Sequence, residues 1–97
     1  MRNLAGDLVR AGRIETTEAR AKAVRSAVER LVTIAKRQNL AARRLILRRV
    51  YDPKIANKIY EDLGPRYASR AGGYLRIVKL SKSRKRDGSR LVAVEFV

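Results

Sequence analysis

Leu4 and Leu8 stand four residues apart, and Ala11 follows three later. This spacing predicts one apolar face of a short helix. Gly12 suits the left-handed turn that ends such a helix. Arg13-Ile14-Glu15-Thr16 alternates polar and apolar positions, the pattern of a short strand. Thr16 or Thr17 then caps a long helix over residues 18–38, with Glu18 favoured in its first turn. Val24, Val28, Leu31 and Ala35 form its apolar stripe, widened by Ala27 and Ile34. Arg20, Lys22, Arg25, Arg30 and Arg37 fall on the opposite face.

Asn39 is placed to cap a third helix over residues 40–50, with Ala42, Leu45, Ile46 and Arg49 on its inner face. Asp52-Pro53 opens a fourth, because the aspartate caps and the proline sits where no helical hydrogen bond is lost. Ile55, Ile59 and Leu63 stack at four-residue spacing, and Gly64-Pro65 is expected to end that helix. Residues 64–73 read as a loop, 74–80 and 91–97 as strands. The basic connection 81–89 between them contains the turn pair Asp87-Gly88. The expected fold is α+β in two layers: helix, short strand, three helices, then a β-hairpin.

The chain has 97 residues, the size of one domain spanning 1–97. Its 45% hydrophobic content is enough for a modest core, which argues against wholesale disorder. The charge is what departs from the ordinary. Twenty-four Lys and Arg oppose nine Asp and Glu, giving +15 at pH 7. Both halves of the chain share the excess, so it is no basic tail on a neutral domain. Such a chain needs a polyanion to neutralise it, most often nucleic acid.

The absence of Cys and His excludes disulfides, zinc fingers and imidazole or thiolate mechanisms. The nine acids read as helix-start residues, turn residues and arginine partners rather than a convergent catalytic pair. No phosphate-binding loop or nucleophile elbow occurs. An enzyme, a cofactor or a small-molecule substrate is therefore not expected. The helix over 18–38 is basic and amphipathic, but its apolar face has no Trp or Phe anchor. Core packing explains it better than a membrane surface.

Two segments suit RNA. In residues 66–76, arginines alternate with Tyr67 and Tyr74, around the adjacent Gly72 and Gly73. Arginines bridge phosphates, tyrosines stack on bases or pack in a core, and glycines admit a close backbone. In residues 82–86, Lys82, Arg84, Lys85 and Arg86 crowd a hairpin tip, where phosphate contact would relieve their repulsion. Arg43-Arg44, near a helix start, is the best helical pair.

The stretch Ile14-Glu15-Thr16-Thr17-Glu18-Ala19-Arg20-Ala21-Lys22 and the longer Gly64-Pro65-Arg66-Tyr67-Ala68-Ser69-Arg70-Ala71-Gly72-Gly73-Tyr74 closely resemble the bacterial large-subunit ribosomal protein seventeen family. Arg2-Asn3-Leu4-Ala5 and Ala42-Arg43-Arg44-Leu45 fit its pattern too, in the same order, so the resemblance covers essentially the whole chain. It implies helices packed on a small mixed sheet and a non-enzymatic role in the cytoplasmic ribosome or an organellar one. It further implies large-subunit rRNA as ligand, a place near the peptide exit tunnel, and ribosomal protein thirty-two as neighbour. The residues it marks as RNA-facing are Arg66, Tyr67, Arg70, Gly72, Gly73, Tyr74 and Arg76, followed by Arg2, Asn3, Thr17, Lys22, Arg43 and Arg44. Family members usually begin with a basic extension, whereas this sequence opens inside the first helix. The competing reading is a free-standing basic nucleic-acid-binding regulator, which would need a recognition helix or a dimer seam.

Overall fold

The apolar stripes foreseen along the helices meet on one side of a three-stranded sheet. The computed structural model describes residues 2–50, 52–83 and 90–97. Helix α1 spans Arg2–Ala11, strand β1 Arg13–Thr17, α2 Glu18–Ala35 and α3 Leu40–Val50. Helix α4, Pro53–Lys58, runs on through a π-helical turn, Ile59–Leu63, into a last helical turn α5, Gly64–Arg66. Strands β2, Leu75–Ser83, and β3, Arg90–Phe96, complete an α+β fold.

The sheet order is β1-β3-β2, and both pairings are antiparallel. This corrects the mixed sheet that the resemblance implied: β3 runs back against both neighbours, and no parallel pair forms among the described residues. Ile14 stands opposite Val94 and Thr16 opposite Val92. All four side chains point to the helices, because side chains alternate faces along a strand. Arg13, Glu95 and Arg76 form a row on the other face. There Glu95 accepts from Arg76 at 2.8 Å and from Arg13 at 3.4 Å, tying the three strands together.

Helix α2 is the centre of the core. Its Val24, Val28, Leu31, Val32 and Ala35 pack with Leu8, Val9, Ile46, Ile59, Leu63, Val92 and Val94. Each such aliphatic side chain contributes roughly 1.5–3 kcal/mol when fully buried. The stripe Ile55, Ile59, Leu63 and Tyr67 is buried throughout. Four-residue spacing overshoots an α-helical turn by about 40° each time. The wider π-helical turn over Ile59–Leu63 offsets that drift and keeps the stripe on the core.

Several boundaries differ from the pattern reading. Helix α2 stops at Ala35, because Gln38 takes a left-handed φ of 51° and turns the chain. The Gln38 amide donates to the carbonyls of Ala35 and Tyr60, each at 2.7 Å, and so pins the turn to the next helical pair. Gly64-Pro65 does not end the fourth helix. Gly64 is right-handed helical, with φ −56° and ψ −58°, and Pro65 follows it inside the last helical turn. Thr17 occupies the N-cap of α2 with no side-chain cap bond. Arg49 faces α2 as the spacing predicts, but its side chain is exposed.

Gly12, with φ of 84°, closes α1 as expected and donates to the Leu8 carbonyl at 2.7 Å. Asn39 caps α3 through Ala42 N–H at 2.8 Å, and Asp52 caps α4 through Lys54 N–H at 2.9 Å. Asp52→Ala is expected to cost about 1 kcal/mol. Urea unfolding of the variant against the parent checks this, and an unchanged midpoint would refute the cap's contribution.

Candidate nucleic-acid interface

The charges sort into two groups by what they face. One group is spent within the chain. Arg66 Nη2 donates to both carboxylate oxygens of Asp62, at 3.0 and 2.8 Å, and its guanidinium lies over the Tyr67 ring at 6.0 Å. Burial is the largest single influence and pulls its guanidinium down, but Tyr67 and Asp62 together outweigh it and hold the charge more firmly than usual. Arg76 is held by Glu95, as above. Lys22 pairs with Glu18 at 3.5 Å and Arg10 with Asp7 at 3.7 Å. These are exposed pairs, each contributing no more than about 1 kcal/mol.

The other group has no carboxylate partner among the described residues. Helix α3 carries no acid, and its Arg43, Arg44, Arg48 and Arg49 are all exposed. Arg43 reaches only the Asn57 amide oxygen at 3.1 Å and the Tyr60 ring at 5.9 Å. Arg20, Arg30 and Arg37 of the neighbouring helix region are exposed as well. Two adjoining helical elements therefore carry exposed guanidinium groups with no carboxylate partner among the described residues, and Arg30 and Arg49 of this set line one groove. Guanidinium suits this task, since its flat fork matches phosphate oxygens in pairs.

The residues 67–74 are not the aromatic platform that their sequence suggested. Tyr67 is 4% exposed and Tyr74 1%, with ring centroids 5.3 Å apart, and Phe96 lies 6.3 Å from Tyr67. Neither face is free to stack on a base, which corrects the base-stacking reading of both. The Tyr67 hydroxyl donates to the Val97 carbonyl at 2.7 Å. The Tyr74 hydroxyl accepts from the Lys36 ammonium at 2.9 Å and meets Thr33 Oγ1 at 3.3 Å. Since Thr33 donates its own proton to the Glu29 carbonyl at 3.0 Å, Tyr74 is the donor to Thr33. Burial pushes the Tyr74 phenol up, but hydrogen bonds with Lys36 and Thr33 and the Lys36 charge bring it below its ordinary value.

Lys36 also donates to the Arg70 carbonyl, and Arg70 Nε donates to the Gly72 carbonyl at 3.3 Å. The network folds the loop back over α2. Gly72 and Gly73 are left exposed at the edge of a groove of about 440 Å³. Ser26, Arg30 and Thr33 of α2 and Arg49 of α3 line its other side.

The expected site residues thus fall into separate places. Lys22 lies on α2, Arg43 and Arg44 on α3, and Arg70, Gly72 and Gly73 in the loop that closes on α2. Thr17 is half-buried between β1 and α2. Arg2 and Asn3 belong to α1 and Lys82 to β2, but their side chains lie outside the described residues, as do Arg84, Lys85 and Arg86. Sequence reasoning counts Arg30 only as one of several helix cations that could face RNA, and it does not single out Arg49. Their positions carry no motif, and the helical pattern puts Arg49 on an apolar face.

Among the described residues no helix is long and apolar enough to cross a membrane. Nor do three potential metal-ligating side chains come together among them. The comparisons with known proteins agree with the resemblance. The family model for ribosomal protein L17 matches residues 1–97. The large ribosomal subunit protein bL17 of Thermoanaerobacter sp. strain X514 is 46% identical over 97 residues, covering 100% of this chain and 86% of that protein. The protein of the same name from a Thermus thermophilus strain is 46% identical over 96 residues, covering 99% of this chain and 81% of that protein. That of Clostridioides difficile strain 630 is 46% identical over 97 residues, covering 100% and 85%. With the whole length matched, this chain belongs to the ribosomal protein L17 family, whose members are structural proteins rather than enzymes.

Proposed function

We propose that this chain is a structural constituent of the large ribosomal subunit that binds and stabilises folded large-subunit rRNA. Family membership supports the ribosomal role. The observation that carries the RNA reading is the set of exposed arginines on α2 and α3. Arg30, Arg43, Arg44, Arg48 and Arg49 have no carboxylate partner among the described residues, on a chain of net charge +15. Such a set is costly for an isolated protein and useful between rRNA helices, where it relieves phosphate repulsion. Recognition would follow RNA shape and backbone, since base edges in an A-form helix are hard to reach.

The test is binding of the purified protein to large-subunit rRNA fragments, with duplex DNA of equal length as competitor. Each phosphate engaged releases counterions, so log K falls with log salt by roughly 0.7–0.9 per contact. With about six contacts, each doubling of salt weakens binding more than tenfold. Preference for one folded fragment is expected. Equal affinity for duplex DNA would instead favour a nonspecific basic protein. The place near the peptide exit tunnel, and ribosomal protein thirty-two as neighbour, rest on the family resemblance. Cross-linking in intact large subunits checks both.

A further inference from the structure

From the groove between α2, α3 and the Gly72–Gly73 loop, we infer a seat for a single RNA sugar-phosphate strand, gripped by Arg30 and Arg49 and admitted by Gly72. The inference rests on the RNA-binding reading and gives it a location. Three observations meet there. Arg30 and Arg49 come from different helices, both are exposed, and both line the groove. Neither has a carboxylate or hydrogen-bond partner among the described residues. Two guanidinium groups lining one channel can each take a phosphate through a forked pair of N–H donors.

The glycines supply the second observation. Gly73 has φ of 65°, a conformation that side chains disfavour, so its own backbone accounts for it. Gly72 has no such φ, and a Cβ added there meets nothing within 4 Å. Nothing among the described residues calls for glycine at position 72. Its effect is to leave the groove edge bare, so that another backbone can lie against it.

The acid in the groove is the third. Glu29 lines it and would repel a phosphate were it free. Glu29 is half-buried, and its Oε2 accepts from the Leu75 N–H at 3.3 Å. The charge is turned to the start of β2 and is outnumbered by the two arginines. Ser26, exposed on the same wall, offers a neutral hydroxyl at phosphate or ribose reach.

The measurement compares the full chain with Gly72→Leu and with the double variant Arg30→Ala, Arg49→Ala in salt-dependent binding to large-subunit rRNA. Circular dichroism and thermal melting of each free protein are recorded alongside. Gly72→Leu is expected to melt like the parent, since the added side chain has open space, and to bind rRNA at least tenfold more weakly. The double variant is expected to lose roughly 1.4–1.8 from the slope of log K against log salt, two contacts' worth. Parent-like rRNA binding by Gly72→Leu would overturn the groove while leaving the RNA reading intact. A parent protein that does not prefer rRNA to duplex DNA would remove the RNA reading itself, and the groove with it.

Discussion

Gly64→Ala is expected to destabilise the protein by about 2 kcal/mol, against the direction that helix propensity gives. Gly64 lies in regular helical conformation, where alanine ordinarily gains about 1 kcal/mol over glycine. Here an added Cβ would lie 2.7 Å from the Ala35 carbonyl oxygen and 2.8 Å from Gln38 Nε2. The first of these is backbone at the end of α2 and has little freedom to yield. Moving Gln38 would break both of its 2.7 Å bonds, to Ala35 and to Tyr60. Overpacking of this kind costs about 1–3 kcal/mol, and a backbone contact belongs at the upper end. The melting temperature should drop by roughly 8–16 °C. Gly6→Ala is the matched control: it sits in α1 with nothing within 4 Å of its added Cβ, and should stabilise by about 0.5–1 kcal/mol. Calorimetry on the two variants settles the point by sign alone. A rise at both positions would mean that α2 does not approach Gly64 this closely.

Tyr67→Ala is expected to cost about 3–5 kcal/mol in the free protein, and Tyr67→Phe only about 1 kcal/mol. The ring is buried between Tyr74 and Phe96, so alanine leaves a cavity beneath the sheet. Phenylalanine keeps the packing and loses the bond to the Val97 carbonyl. A base-stacking tyrosine behaves otherwise. Its removal leaves stability unchanged, weakens RNA binding by about 1–3 kcal/mol, and phenylalanine restores the stacking. Urea unfolding without RNA, followed by binding assays on whatever remains folded, separates the two roles. Full stability of Tyr67→Ala would return the residue to the RNA face.

These two residues also mark where reading the sequence succeeds and where it stops. The stripes Val24-Val28-Leu31-Ala35 and Ile55-Ile59-Leu63 are legible, because periodicity alone decides which side of a helix is apolar. So are the caps at Asn39 and Asp52, which act within three residues of themselves. Gly64-Pro65 misleads because the same two residues serve a stop signal and a close helix contact. Only the distance to Ala35 tells them apart. Tyr67 and Tyr74 stand among arginines, which suggests a stacking surface, yet their side chains are claimed by partners far away in the sequence, Phe96, Val97 and Lys36 among them. Arg30, Arg49 and Gly72 come from three separate stretches of sequence. No local pattern joins them, whereas the fold places all three on one groove. The adjacent pair Arg43-Arg44 is visible for the opposite reason, being a local feature.

The order of strands has a bearing on how the chain is made. β3 lies at the centre of the sheet, yet it follows every other element in the sequence. Arg13 must wait for Glu95, and Thr17 for Leu91. During synthesis the helices can begin to condense while β1 and β2 still lack the strand that joins them. Contacts this distant in sequence close slowly, and unpaired strand edges invite association with other chains in the meantime. The nascent protein is thus most in need of protection just before residues 90–96 emerge, after most of its core residues have already been made.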